Sequence, residues 1–463
     1  MATRAFPAGF LWGVATSAPQ IEGGFAAAGR GESIWDRFAA TPGRIADGSN
    51  ATIACDHYHR WPEDVRLLQW LGVGAYRFSV AWPRVLPAGR GAVNAAGLDF
   101  YDGLVDALLD VGIQPFVTLY HWDLPQALQE TGGWAARGTA EAFAEYAAVV
   151  ANRLGDRVHH WITHNEPWCV SVLGHEAGEH APGHRDPAET LRVAHHVLLS
   201  HAWAANAVRQ NAPGSEVGIT LNLTPGVPAS ESDADRLAAQ RFDGMFNRWF
   251  LDPLFRGSYP ADTVADRVRR GHLVDTDLPF VQDGDLDAIA TPMDFLGINY
   301  YSRVIVRADA EGDPVAVPLH PQTKRTEMGW EIFPHGLHEL LVRIWREYRP
   351  PKIYITENGA AFADQVDPGG RVPDARRIEF LRGHFTAAHR ALADGVPLHG
   401  YFVWSLLDNF EWAHGYAKRF GLYWVDFATQ QRIAKQSAFW YREVAAASAV
   451  DDATDPAIAR RLP

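Results

Sequence analysis

The sequence predicts an α/β fold, a single (β/α)8 barrel of the TIM type with long loops at the C-terminal ends of its strands. Three observations carry that expectation. Eight short apolar runs bounded by turn residues alternate with eight segments of helical period along the 463 residues. Polar or aromatic side chains close nearly every apolar run, and strand ends are where a barrel collects its function. A doubly wound open sheet, the rival architecture, would concentrate such residues at one switch point. No repeat, low-complexity tract or linker divides the chain, so residues 1–463 read as one domain.

Taken in order, the first strand spans 10–15 and runs into Thr16, Ser17, Ala18, Pro19 and Gln20, which places Gln20 just past a strand end. A Gly-, Asp- and Asn-rich loop at 41–52 leads to a helix over 61–71 and a strand over 75–81, whose alternation buries Arg77. The helix over 97–110 carries Leu98, Tyr101, Leu104, Val105, Leu108 and Leu109 on one face, and the strand over 114–120 closes on His121 and Trp122. A helix over 139–154, with Thr139 as its expected cap, precedes the strand over 158–167, where Pro167 stops the pairing after Glu166. The same rhythm gives helix 187–210, strand 217–223, helix 233–250, strand 294–301, helix 335–348 and strand 352–359. Helix 374–393, strand 398–405 and a last helix over 435–446 complete the set. The stretches 224–232 and 306–326, rich in Pro, Asp and Ala, read as surface loops.

Composition excludes several functions. A 47% hydrophobic and 21% charged chain has a large core, and its longest apolar runs are strand-sized, so neither disorder nor a membrane span is expected. A net charge of −13 argues against a nucleic-acid partner. No apolar signal segment precedes Gly9, and Cys55 and Cys169 are read as two reduced thiols, so a cytoplasmic location is expected. The pairs His57 and His59, His159 and His160, and His195 and His196 belong to no metal-binding spacing. Gly72 and Gly74 lack the rest of a dinucleotide fingerprint, so neither metal nor cofactor is expected.

Two strands each end in a carboxylate, Glu166 in Thr163-His164-Asn165-Glu166-Pro167 and Glu357 in Ile355-Thr356-Glu357-Asn358-Gly359. A Glu at the end of an apolar strand must be paired or hydrogen-bonded to offset its desolvation. Two of them facing one pocket suit cleavage of a glycosidic bond, one protonating the leaving oxygen and the other attacking the anomeric carbon. Around them, His121, Asn299, Tyr301 and Gln20 offer hydrogen bonds to sugar hydroxyls, while Trp122, Trp404 and Trp412 offer stacking rings. Glu411, between Phe410 and Trp412, is an acceptor for two hydroxyls beside such a ring. Trp168 and Trp330 are expected to form a stacking platform on the aglycone side.

These stretches resemble glycoside hydrolase family 1, the retaining β-glucosidase and β-galactosidase barrels, over nearly the whole chain. The residues that carry the resemblance are Phe10-Leu11-Trp12-Gly13, Gln20-Ile21-Glu22-Gly23, Tyr76-Arg77-Phe78-Ser79, Tyr120-His121-Trp122-Asp123-Leu124-Pro125 and Asn165-Glu166-Pro167-Trp168. They continue as Asn299-Tyr300-Tyr301, Ile355-Thr356-Glu357-Asn358-Gly359 and the run from Trp404 to Trp412. The resemblance implies Glu166 as acid/base, Glu357 as nucleophile held ionised by Arg77, and a glycone subsite lined by Gln20, His121, Asn165, Asn299, Tyr301, Trp404, Glu411 and Trp412. It implies small β-glycosides or cello-oligosaccharides as substrates, with β-fucosides and β-galactosides tolerated. The runners-up are a 6-phospho-β-glycosidase, which in this family carries Ser in place of Glu411, a transglycosylase, and a catalytically silent sugar-binding barrel.

Two positions depart from the family pattern: Pro19, where Tyr or Phe is usual, and His164, where an apolar residue is usual. Strand parity gives Ile162, His164 and Glu166 one direction, so His164 is expected inside the barrel one layer below Glu166. There it is expected to be neutral and to fix Thr163 or Asn165 by a hydrogen bond.

Overall fold

The computed structural model describes residues 3–451. Eight parallel strands close into a barrel: β1 (Leu11–Ala15), β2 (Ala75–Ser79), β3 (Gln114–Tyr120), β4 (His160–Asn165), β5 (Glu216–Asn222), β6 (Phe295–Asn299), β7 (Ile353–Asn358) and β8 (Leu398–Trp404). They neighbour one another in chain order, and β8 returns to β1. The helices that follow them are α1 (His57–Leu71), α2 (Ala95–Asp110), α3 (Arg137–Leu154), α4 (Pro187–Asn211), α5 (Asp233–Asp243), α6 (Pro334–Tyr348), α7 (Ala375–Ala393) and α8 (Gln436–Ala447). Among the described residues no helix is long and apolar enough to cross a membrane.

The period-2 pattern sorts each strand into two environments. Ala75, Phe116, Ile162, Phe295, Tyr354 and Phe402 point inward and pack into one buried cluster. The ring of Phe116 lies 4.8 Å from Phe402 and 5.3 Å from Tyr354, so side chains fill the lower barrel and leave room only at the C-terminal ends. Trp12, Val14, Val117, Leu119, Ile219, Leu221, Ile353 and Ile355 take the alternate positions and join the larger core with the helices. Each such side chain stabilises by about 1.5–3 kcal/mol, so a one-residue slip of any strand would forfeit several of them at once. Gly13 has a steric cause: a Cβ there would sit 2.5 Å from the Phe402 ring.

The structure moves some boundaries. Thr139 does not cap α3, which already begins at Arg137; its hydroxyl donates to the Gly133 carbonyl from inside the first turn. The helix expected over 233–250 is α5 followed by a wide π-helical turn, Gly244–Arg248, and a separate helix, Trp249–Arg256. Asp186 caps α4, accepting from the Ala188 and Glu189 amides ahead of the proline-led start that the sequence predicts. The two presumed surface loops instead form a small sheet. Val304–Ala308 pairs in parallel with Gly226–Pro228 and antiparallel with Pro314–Ala316. The short β-branched run Val304, Ile305 and Val306 was the available local signal: Val306 is buried, and Val304 and Ile305 reach the mouth of the barrel.

Candidate active site

A cavity of about 530 Å³ opens at the C-terminal end of the barrel. Of the residues singled out from sequence, His121, Trp122, Asn165, Glu166, Trp168, Asn299, Tyr301, Trp330, Glu357, Trp404, Glu411 and Trp412 line it. Arg77 and Gln20 are fully buried behind its wall. A second groove, of about 710 Å³, is lined by helix and loop residues such as Lys324, Arg376, Arg382 and Arg390, and includes neither of the two glutamates.

Adjacent strand residues normally face opposite ways, yet Asn165 and Glu166 share one cavity. The register against β5 slips between Ile162 and Asn165, and Glu166 takes a positive φ of 50°, an uncommon conformation for a residue with a side chain. Strain of this kind costs about 1–3 kcal/mol and collects at functional sites. His121 and Trp122 repeat the device, with Trp122 at φ 86° and its indole donating to the Asn165 carbonyl.

The two carboxylates differ in their partners. Glu357 Oε1 accepts from Arg77 Nη1 at 2.5 Å and Oε2 accepts from the Tyr301 hydroxyl at 2.7 Å. Arg77 is itself fixed by the Thr356 carbonyl, Thr118 and Asn165 Oδ1, so a fully buried cation sits beside this carboxylate. Glu166 Oε1 accepts from Asn299 Nδ2 at 2.6 Å, and its Oε2 accepts from the Cys169 thiol at 3.0 Å. Burial raises both carboxyls, but for Glu357 the Arg77 charge and the Tyr301 hydrogen bond oppose it. For Glu166, burial and then the negative Glu357 push the carboxyl up to about 7. These opposed effects favour Glu166 over Glu357 as the carboxyl that carries a proton.

The surrounding amides form one network. Asn165 Oδ1 accepts from Arg77 and Asn299, while its Nδ2 donates to His121 Nε2. His121 then carries its hydrogen on Nδ1, a buried donor with no protein partner, and burial holds the ring neutral. Thr356 donates to Asn299 Oδ1 and so orients the amide that reaches Glu166. Asn358, beside the other glutamate, turns away to bond the Tyr300 carbonyl and Tyr401. Gln20 donates to Asn409, the Phe410 carbonyl and Glu411, behind the sugar-facing surface. Trp122 and Trp412 stand 4.4 Å apart, and His121 lies nearly parallel to Trp404 and Trp412.

Glu411 is held in place from behind by buried charge. Lys435 Nζ bonds Asp364 and Asp408 at 2.6 Å each, and Arg419 bonds Asp408 at 2.7 Å, which fixes the loop between Trp404 and Trp412. Removing one partner of such a buried pair typically costs about 3–5 kcal/mol. Burial and the negative Glu357 and Glu166 push Glu411 itself up to about 8. It thus keeps a proton near neutrality and can donate as well as accept.

His164 is not where strand parity puts it. The register slip turns it out of the barrel into the helix layer, where its ring packs on Phe143, Tyr120 and Trp134. Its partner is neither Thr163 nor Asn165. Nε2 meets Ser200 Oγ at 2.7 Å; since that hydroxyl donates to the Val197 carbonyl, Nε2 is the donor. Thr163 pairs instead with His201. The neutral state expected from sequence agrees with burial pushing the ring well below its usual range. His164→Phe should therefore leave the alkaline limb of kcat/KM in place, whereas a shift of about one unit, or ~1.4 kcal/mol, would reveal electrostatic coupling.

Cys169 is the residue that sequence reading missed. It is a free, buried thiol whose sulfur also takes a long contact from Asn222 Nδ2. Its place three residues after Glu166, within the first turn that Glu166 opens, was the available signal. A donor to a carboxylate favours the charged form, so Cys169→Ala should move the alkaline limb upward, in contrast to His164→Phe.

The outer cavity is apolar on both sides. Trp168 packs on Phe246 at 4.2 Å and Trp330 on Tyr301 at 5.3 Å, and Leu173, Val304, Ile305, Val317 and Leu319 also line the cavity.

The sequence profile described as Glycosyl hydrolase family 1 matches residues 2–450. Beta-glucosidase A of Thermotoga maritima is 48% identical over 98% of this chain and 100% of its own length. The bifunctional beta-D-glucosidase/beta-D-fucosidase of Bifidobacterium breve is 44% identical, covering 95% of this chain and 98% of that protein. The solved structure of the family 1 β-glucosidase from Thermotoga maritima superposes with a TM-score of 0.93 at 47% identity, covering 98% of this chain and 100% of that one. With this likeness running through barrel, loops and both glutamate-bearing strands, the chain belongs to glycosyl hydrolase family 1.

Proposed function

We propose that the chain, acting as one catalytic domain over residues 1–463, is a retaining β-glucosidase. It removes terminal non-reducing β-D-glucosyl residues by double displacement, without cofactor. The single observation that carries the reading is the unequal treatment of two carboxylates in one cavity: Arg77 and Tyr301 hold Glu357 as the charged nucleophile, while burial leaves Glu166 the proton it must give to the leaving oxygen. The deciding experiment is proton NMR of the first product from a β-glucoside. β-Glucose should appear first, and α-glucose appearing first would overturn the assignment of Glu357.

In this reading Glu411 and His121 face the glycone, Gln20 orients Glu411 from behind the wall, Trp404 and Trp412 stack on the glycone, and Trp168 and Trp330 take the aglycone. The relative named for both glucosidase and fucosidase activity supports tolerance at the 4- and 6-positions, and one named 1,4-beta-D-glucan glucohydrolase, from Thermotoga neapolitana, supports cello-oligosaccharides as substrates. Two free, buried cysteines accord with a cytoplasmic location.

Glu411 argues against the 6-phosphoglycosidase alternative, although not by charge alone, since its carboxyl rises to about 8. The nearby Lys418 spends its ammonium on the Glu327 carbonyl at 2.6 Å. Glu411→Ser should lower kcat/KM for β-glucosides by roughly 10- to 100-fold, since it removes two hydrogen bonds to the sugar worth about 0.5–1.5 kcal/mol each. Unchanged kinetics, or a wild type that prefers the 6-phosphate substrate, would remove Glu411 from the glycone site.

A further inference from the structure

Outside the substrate cavity, His175, His184 and Glu189 come together from the irregular turn Cys169–Ala177, the loop after it and the first turn of α4. One ring nitrogen of each histidine and one carboxylate oxygen of Glu189 lie within 4.8 Å of one another. Two imidazoles and a carboxylate, with water in the fourth position, are a sufficient ligand set for zinc. We propose that these three side chains bind one divalent transition-metal ion, zinc being the probe, as a clamp on the fold and not as part of the bond-breaking chemistry.

The main chain beneath the ligands is already pinned. The His184 amide donates to the Gly174 carbonyl at 2.9 Å, the Asp186 amide to the His175 carbonyl at 2.7 Å, and the Glu189 amide to Asp186 Oδ1 at 3.1 Å. His175 Nδ1 meets the Val170 carbonyl at 3.0 Å, and a carbonyl only accepts, so Nδ1 carries the hydrogen and Nε2 keeps its lone pair. A backbone carbonyl behind the second ring nitrogen is the arrangement that fixes the tautomer of metal-ligating histidines.

His184 Nδ1 and Glu189 Oε2 are 3.0 Å apart, close to the ~3.3 Å that separates donors around a tetrahedral ion with bonds of about 2.0–2.1 Å. Closing the remaining gap takes a movement of about 1–1.5 Å, within reach of His184, whose side chain is 43% exposed, while the buried His175 stays fixed. The same exposure gives an ion access and room for a water ligand. The competing account is an ordinary surface pair between His184 and Glu189, in which His175 has no part.

The clamp would act on the segment that carries Glu166. The turn opens with the Cys169 and Val170 amides donating to the Glu166 carbonyl, and Val170 in turn holds His175. An ion there ties the following loop to that turn. None of the three ligands lines the cavity, so the expected effect is on stability.

The test uses the full-length chain, stripped with EDTA and desalted, then titrated with zinc chloride by calorimetry and melted with and without zinc. We expect one zinc per chain, and a Tm raised by about 3 °C at a free zinc concentration 100-fold above Kd. His175→Asn, His184→Ala and Glu189→Gln should each abolish both effects. His335→Ala, at the exposed His335–Glu339 pair, should abolish neither. Cobalt(II) should give the visible d–d absorption of a low-coordinate site, lost in His184→Ala, a partly exposed position where folding is not at stake. No saturable zinc uptake by the wild type, uptake that survives His184→Ala, or uptake indifferent to His175→Asn would each overturn the proposal.

Discussion

Glu357→Ala is expected to lower kcat for a β-glucoside by on the order of 10⁵- to 10⁶-fold, the scale seen when a hydrolase loses its nucleophile. The structure says why little should remain. Arg77 and Tyr301 both point at this carboxylate, and no other group in the cavity is held ionised in the same way. The variant also leaves a buried guanidinium without its counter-charge, so Glu357→Gln, which keeps the shape and a hydrogen-bond acceptor for Tyr301, serves as a check on folding. Azide added to the alanine variant supplies both the missing volume and the missing negative charge beside Arg77. It must attack the anomeric carbon from the face that Glu357 occupied, so the rescued product should be the α-glucosyl azide. A β-azide, or turnover within tenfold of wild type, would show that the nucleophile lies elsewhere.

Much of this arrangement is legible in the sequence, because the barrel is written in the period-2 runs and their polar ends. Phe116, Thr118 and Tyr354 could be assigned to the inside by alternation alone, whereas His121 and Glu357 fall on the opposite parity and were legible only from their places at strand ends. Alternation fails where the backbone departs from the pleat. His164 was placed inside the barrel by parity and lies outside it, because the slip between Ile162 and Asn165 adds a residue that no local signal announces. The positive φ of Glu166 and Trp122 is equally silent, since neither residue type favours that conformation. The sheet built from Gly226–Pro228, Val304–Ala308 and Pro314–Ala316 was hidden for another reason. Its strands are short, two contain proline, and they pair across about eighty residues of intervening chain, so only the tertiary fold brings them together. Cys169 was visible as a residue but not as a partner of Glu166, because the contact depends on the turn that starts at that glutamate.

Glu166→Ala should divide substrates by leaving group. For an alkyl β-glucoside or cellobiose, whose leaving oxygen needs a proton, kcat/KM should fall by about 10²- to 10⁴-fold, the usual contribution of a general acid. For a dinitrophenyl glucoside, whose leaving group departs as a stable anion, the first step should be nearly unimpaired and the glycosyl-enzyme should accumulate, because no base remains to activate water. Azide, which needs no base, should then attack from the open face and release the β-glucosyl azide, opposite in configuration to the product rescued from Glu357→Ala. The pH dependence follows from the same carboxyl. In the free enzyme Glu166 is raised to about 7 by burial and by the charge on Glu357, so it is the required acid below that pH and loses its proton above it, which sets the alkaline limb of kcat/KM near pH 7. Once Glu357 is esterified its charge is gone, one of the two causes of the raised pKa disappears, and Glu166 becomes the base for the second step. In Glu166→Ala assayed with the dinitrophenyl glucoside the alkaline limb should be absent. A limb that persists near pH 7 in that variant would mean that another group, Glu411 with its carboxyl near 8 being the first to test, sets the pH dependence instead.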